Sequence, residues 1–363
     1  MKAAVLYEYN TPLKVEDLTL DEPQGQEVLV KLAATGVCHT DLHAFKGELR
    51  VPLPAVLGHE GAGIVEKVGP GVTTLQPGDH VVLMVIYSCG KCSFCAMGKP
   101  TNCMAGLGAM MMGTLPGGEK RLHKGDQAIS HWWSQSSFAE YAVVHERTAV
   151  KIREDVPLEI AALFGCCVTT GVGAVINTAG LRAGESIVIY GCGGVGQSAI
   201  LGAKLAGAGK IIAVSSAEHK LKLAKELGAD YVINYREEDP PQRVMQLTGG
   251  GADYAIECVG NMDVVAQALA SLNLAGKCII VGSPPPGSML NVAPTQFAMG
   301  KTLTGCLQGS IRASVDVPRY IDLYMMGKLP LEKLVTRSYS LDQINDAFKA
   351  IEEGEVIRSV IKF

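Results

Sequence analysis

Four cysteines stand within a short stretch, Cys89-Gly-Lys-Cys92-Ser-Phe-Cys95 followed by Cys103, a C-x2-C-x2-C-x7-C spacing. Thiolates at such separations suit the closed tetrahedral shell of a structural Zn2+. Gly90 and Gly98 allow the backbone to turn sharply between them. A cluster of buried or disulfide-bonded cysteines is the bland alternative. It fits poorly with a polar, glycine-containing loop in a long chain with an odd cysteine count. Such a closed shell leaves no position for a substrate, so chemistry must be sought elsewhere.

Three further ligand types lie in separate segments: Cys38 in Gly36-Val-Cys-His-Thr-Asp-Leu-His43, His59 in Gly58-His-Glu-Gly61, and Cys166 in Gly165-Cys-Cys-Val-Thr-Thr-Gly171. Taken singly, each is more often a core residue than a ligand. Together, two thiolates and one imidazole form the donor set of an open, catalytic zinc site. Cys167 competes with Cys166 on paper. The remaining cysteines, 192, 258, 278 and 306, read as small apolar residues.

A second kind of chemistry begins at Tyr190, where Gly191-Cys-Gly193-Gly194-Val195-Gly196 matches G-x-G-x-x-G. The motif follows an apolar strand and opens a helix, the context a dinucleotide fingerprint requires. Pyrophosphate would sit at the helix N-terminus, where free N–H groups and the dipole favour anions. About twenty residues on, an NAD site is expected to end its second strand with a carboxylate. Here the strand ends Val214-Ser215-Ser216-Ala217, and His219 and Lys220 follow. Hydroxyls and a cation accommodate a 2′-phosphate, so the expected coenzyme is NADP, with NAD the alternative and Glu218 the opposing signal.

The elements that must position these groups fall into two patterns. Up to about Cys167 the chain shows short strands at Lys2–Tyr7, Glu27–Thr35, Gly61–Val68 and Asp79–Val85, with Pro/Gly turns between them, and one helical turn over Val37–Lys46. From Ser186 onward, apolar strands at Ser186–Tyr190, Lys210–Val214, Tyr231–Ile233, Ala252–Cys258 and Lys277–Val281 alternate with helices at Val195–Ala206, Ala217–Leu227 and Met262–Leu272. Alternation with apolar strands implies a parallel sheet covered on both faces. Val317–Met326 and Leu341–Glu353 read as helices and Val356–Phe363 as a strand, placed by length back with the first domain. At 363 residues two domains are expected. A net charge of −4 without a basic run argues against nucleic acid as a partner. No apolar run reaches the roughly 18 residues of a membrane span, and the N-terminus does not read as a signal peptide. A cytoplasmic location follows from the same features and from the thiol count.

With these segments in hand, the chain resembles the zinc-dependent medium-chain alcohol dehydrogenases over essentially its whole length. The resemblance rests on G-V-C-H-T-D-L-H at 36–43, G-H-E-G-A-G at 58–63, the four-cysteine lobe, G-C-C-V-T-T-G at 165–171 and the Gly191–Gly196 fingerprint. It implies an α/β fold: a GroES-like β-rich catalytic domain over 1–167 carrying the structural zinc lobe at about 89–103, a Rossmann doubly wound parallel sheet over 168–307, and a C-terminal return over 308–363, with the active-site cleft between domains. It implies two Zn2+ per chain, one held by Cys38, His59 and Cys166 and one by Cys89, Cys92, Cys95 and Cys103. Thr40 matches the hydroxyl that bonds the substrate oxygen, His43 the far end of a proton relay, and Glu60 the acidic residue beside the metal. His39 and Arg358 match positions near the pyrophosphate, Thr170 and Val195 positions lining the nicotinamide, and Val281 a position near the carboxamide.

The implied reaction is hydride transfer between a nicotinamide coenzyme and a primary alcohol or aldehyde, with zinc acting as Lewis acid. Ala105–Ser137 resembles the long form of this segment found in dimeric relatives, which implies a homodimer, with a tetramer as the alternative. Trp132 and Trp133, with Leu49, Val85 and Met110, are expected pocket residues and point to aromatic or medium-chain substrates. The glutathione-dependent formaldehyde branch is disfavoured, because Met104–Met112 carries no basic residue. A zinc-free quinone or enoyl reductase of the same fold would lack Cys38, His59 and the lobe. A non-catalytic zinc-lobe binding protein would need neither the second ligand set nor the fingerprint.

Overall fold

The computed structural model describes residues 1–363. The chain forms two compact units. The first contains Met1–Cys166, Arg312–Gly327 and Val335–Phe363; the second contains Cys167–Ile311 and Lys328–Leu334.

The first unit is a nearly closed β-barrel of the GroES-like kind. Its central strand, Glu27–Val37, pairs antiparallel with Gly61–Val68, Tyr141–His145 and Arg358–Lys362. Register shifts at Leu29/Val30 and Leu32/Ala34 mark bulges, which bend a strand and increase its twist as closure requires. Val28, Val30, Leu32, Val65, Val81, Leu83 and Val144 are buried in one cluster, each contributing about 1.5–3 kcal/mol by leaving water. The strand runs two residues beyond its expected end at Thr35 and delivers Cys38 directly to helix His39–Phe45.

The second unit carries an all-parallel sheet of six strands: β1 (Ser186–Tyr190), β2 (Lys210–Ser215), β3 (Tyr231–Asn234), β4 (Ala252–Glu257), β5 (Leu272–Ile280) and β6 (Thr302–Gly305). Their order is β3-β2-β1-β4-β5-β6, the doubly wound Rossmann arrangement. β1 pairs in parallel with both β2 and β4, so the chain reverses direction across the sheet at the end of β1. That is where a ligand crevice opens in such sheets.

Two differences from the sequence reading are instructive. The expected helix Met262–Leu272 stops at Ala270, and β5 begins at Leu272 rather than Lys277, because Leu272 pairs with Ala252 across a register shift. Helix Pro240–Thr248 was not anticipated, although its signals are local: the Asp239 side chain accepts from Gln242 N at 2.8 Å, Pro240 occupies the first turn, and Gly249 closes the helix at φ +76°.

Candidate functional site

Cys38 caps the N-terminus of helix His39–Phe45, and its N–H donates to Asp41 Oδ2 at 3.2 Å. His59 follows Gly58, whose φ of +89° and close packing on Phe138 N, 2.5 Å from where a Cβ would stand, admit only glycine. Cys166 lies just after the short turn Ala162–Gly165, and Gly165 lets that turn approach Leu83 O and the Glu60 backbone. Gly36 leaves the space that the Glu60 carboxyl group occupies. By these means the ligand atoms of Cys38, His59, Glu60 and Cys166 converge within 4.8 Å of one another. Cys167, the competing thiol, is buried and lies outside this set.

Asp41, to which the sequence reading assigned no role, orders the site. Its Oδ1 accepts His59 Nδ1 at 2.7 Å, and Asp41 itself is fully buried. With Nδ1 committed to a carboxylate, Nε2 is the nitrogen left for a metal. That nitrogen lies 3.8 Å from Glu60 Oε1. Burial opposes a charge on His59, yet Asp41 raises its pKa well above the usual imidazole range. Hydrogen bonding from Cys166 holds the Cys38 thiol well below the ordinary range. Burial pushes the Glu60 carboxyl up to about 7, even with the Arg358 guanidinium beside it. Glu60 Oε1 pairs with Arg358 Nη2, while Glu60 Oε2 is buried without a partner. Two soft thiols, an imidazole with Nδ1 committed to Asp41 and an orphaned carboxylate oxygen fit a zinc ion.

The other predicted residues are placed as follows. Thr40 Oγ1 is 3.7 Å from Cys38 Sγ. His43, one turn further along the same helix, has Nδ1 paired with the Glu48 carboxylate. Arg358, expected near a pyrophosphate, is buried with its guanidinium engaged by Glu60. His39 is exposed at the start of its helix. Trp132 and Trp133 are buried and pack edge to face with centroids 5.8 Å apart, and the Trp133 ring lies 6.3 Å from that of His59. Val85 is buried, while Leu49 and Met110 are half-buried. A surface depression is lined by Tyr9, Arg50, Val51, Pro52, Leu53 and Met111, and none of the five expected pocket residues lines it.

The four-cysteine lobe forms a second donor set, with its sulfurs within 4.8 Å of one another and no disulfide. Cys89 Sγ accepts from Lys91 N at 3.5 Å and Cys92 N at 3.3 Å, and Cys103 Sγ accepts from Cys89 N at 3.3 Å. Backbone donors of this kind lower the Cys92 thiol to about 6, as a thiolate metal ligand requires. Four converging sulfurs fit a structural zinc.

In the second unit the fingerprint opens helix Gly194–Leu205 with Gly193 as its N-cap. Gly191 adopts φ +92°, and a Cβ on Gly196 would collide with the Gly191 carbonyl. No atom lies within 4 Å of a Cβ built on Gly193, so the backbone there offers the open cradle a pyrophosphate requires. Gln197, not singled out in the sequence, donates from Nε2 to Cys192 O and Lys220 O, tying this turn to helix Glu218–Leu227. Ser215 and Ser216 are half-buried at the end of β2, and Lys220 is half-buried nearby. Thr170 is buried, and Val195 is half-buried in the fingerprint helix. Val281 follows β5 and donates its N–H to Glu257 O.

Comparison with known proteins gives a consistent picture. Residues 24–154 match the alcohol dehydrogenase GroES-like domain, and residues 194–325 match the zinc-binding dehydrogenase family. The chain is 39% identical to S-(hydroxymethyl)glutathione dehydrogenase of Synechocystis sp., over 100% of this chain and 99% of that protein. It is 39% identical to alcohol dehydrogenase class-3 of Drosophila melanogaster, over 100% and 97%. Among solved structures, benzyl alcohol dehydrogenase of Acinetobacter calcoaceticus superposes with a TM-score of 0.95 at 40% identity, covering 100% of this chain and 99% of that one.

Proposed function

This chain belongs to the zinc-dependent medium-chain alcohol dehydrogenases, and from that premise we propose how its own residues divide the work, with which coenzyme and on which substrates. It is a zinc-dependent oxidoreductase acting on alcohols and aldehydes through a nicotinamide coenzyme. Cys38, His59 and Cys166 would hold the catalytic zinc, with Glu60 beside it, and that ion would supply Lewis acidity to a hydroxyl or carbonyl oxygen. Thr40 offers the hydroxyl that takes up the substrate proton. His43 passes it outward, held in one orientation by Glu48. Cys89, Cys92, Cys95 and Cys103 would hold the structural zinc. The observation that carries this reading is the convergence of two thiols on a buried imidazole whose Nδ1 is already committed to Asp41.

For the coenzyme, Gly191, Gly193, Gly194, Val195 and Gly196 form the phosphate cradle, and Thr170, Val281, His39 and Arg358 serve the remaining groups. NADP is the preferred form: Ser215, Ser216 and Lys220 stand where an acidic residue would repel a 2′-phosphate. Aromatic or medium-chain primary alcohols are the proposed substrates, supported by the buried Trp132–Trp133 pair and by the likeness to a benzyl alcohol dehydrogenase. The glutathione adduct handled by the curated relatives is a second reading, favoured by their 39% identity and opposed by the absence of a basic residue in Met104–Met112. A homodimer is supported by the edge strand β6, by exposed Leu274 on the neighbouring β5, and by exposed Met289 and Met299 ahead of β6. A cytoplasmic location is in keeping with eleven free thiols.

The deciding experiment measures zinc content and steady-state rates with NADPH and NADH against benzaldehyde, hexanal and S-(hydroxymethyl)glutathione. Two zinc per chain and faster use of NADPH with benzaldehyde are expected. Equal or better use of NADH defeats the coenzyme assignment, and preference for the glutathione adduct defeats the substrate assignment.

A further inference from the structure

We propose that Trp132 is a positioning residue for the metal ligand His59, acting through Asp41 rather than as a pocket wall alone. The proposal rests on the zinc assignment made above for His59. Asp41 Oδ1 accepts three hydrogen bonds: from His59 Nδ1 at 2.7 Å, from Trp132 Nε1 at 2.9 Å and from Gly58 N at 3.2 Å. Asp41 is fully buried and Trp132 is 2% exposed, so in the folded chain the indole, not bulk water, supplies this donor. A buried carboxylate depends on each of its donors. An indole N–H donates and never accepts, so Trp132 can bond Asp41 only in the sense that leaves the carboxylate an acceptor toward His59. Imidazole ligands are commonly oriented by such a carboxylate, and losing the partner typically weakens metal binding by about 10–100-fold.

Trp132 is itself held in place. Its backbone N–H donates to Ser136 Oγ at 2.9 Å, and Ser136 Oγ donates to Val56 O at 2.8 Å. The turn that follows carries positive φ at Trp133, Ser134 and Ser136. Gln135 in that turn donates from Nε2 to His59 O at 2.9 Å and accepts Gly61 N on Oε1 at 3.2 Å. One buried turn therefore grips His59 twice: on its backbone through Gln135, and on its ring through Trp132 and Asp41. Trp133 packs beside the same imidazole but makes no bond to Asp41, and its Nε1 has no hydrogen-bond partner. The neighbouring tryptophans thus provide an internal control.

The test is chelator-driven zinc release from wild type, Trp132→Phe and Trp133→Phe, followed with a colorimetric zinc indicator. Trp132→Phe is expected to lose one zinc per chain about tenfold faster than wild type, with the lobe zinc released at an unchanged rate. Trp133→Phe is expected to release both at wild-type rates. Equal release from the two variants overturns the proposal. The chain contains two tryptophans, so 15N-indole spectra give a second measurement in case Trp132→Phe misfolds. Asp41→Asn should move the Trp132 indole signal, and an unmoved signal overturns the link. A wild type with one zinc would instead defeat the zinc assignment at His59. The indole spectrum then still decides the Trp132–Asp41 contact on its own.

Discussion

At the scale of single residues, the catalytic donor set contains two different kinds of dependence. Cys38 is one of only two thiols in the proposed donor set. Cys38→Ser should lower the metal content from two zinc to one and abolish turnover while the circular dichroism spectrum stays unchanged; a variant that retains both zinc and activity removes Cys38 from the site. Arg358 acts differently. It shares a buried ion pair with Glu60, and removing one partner of such a pair costs about 3–5 kcal/mol because a charge is left without compensation. Arg358→Met should therefore lower the guanidinium unfolding midpoint, most strongly in zinc-free protein, and adding Glu60→Gln should recover part of the loss. An unchanged midpoint would show that the pair contributes nothing.

At the scale of elements, the lobe and the fingerprint turn carry separable jobs. The lobe sulfurs form a closed set with backbone N–H donors arranged around them, so a metal held there would serve folding. Cys95→Ser should lower the melting temperature or impair assembly first, with activity per folded chain retained; a clean loss of turnover in a fully stable variant would reassign the lobe to catalysis. The fingerprint turn depends on close approach. A Cβ at residue 196 would enter the Gly191 carbonyl, and overpacking of about 1–3 kcal/mol, if borne by the coenzyme-bound state, corresponds to binding weakened about 5- to 150-fold. Fluorescence titration of NADPH against Gly196→Ala measures this, and wild-type affinity would place the coenzyme elsewhere.

At the scale of the whole molecule, stability acquires an acid limb from a residue outside both metal sites. His131 is 1% exposed, and its Nε2 accepts Arg121 N at 3.1 Å. Burial, then the charges of Lys120, Arg121 and His123, push it down to about 3. The folded chain thus resists a proton that the unfolded chain accepts near 6.5. Its contribution is fully present above that pH and is lost as pH falls toward 3, a drop of up to about 5 kcal/mol. Thermal midpoints should decline from pH 7 to pH 4, and His131→Gln should flatten that decline; parallel slopes would exclude His131 as the cause.

What the sequence determined by itself is what short separations can encode. The lobe ligands span Cys89–Cys103 and the fingerprint spans six residues, so spacing alone specified their geometry, and the alternation of apolar strands with helices specified the parallel sheet. Helix Pro240–Thr248 is equally local, its ends set by Asp239 and Gly249. Tertiary structure alone decided which groups support the Cys38–His59–Glu60–Cys166 set. Asp41 lies within a quoted motif, but nothing local shows that its carboxylate meets a histidine 18 residues on and an indole 91 residues on. The pairing of Arg358 with Glu60 spans 298 residues. Such partners are chosen by burial: once the barrel closes and water is excluded, each carboxylate and imidazole must find the one complementary group that the fold brings within reach.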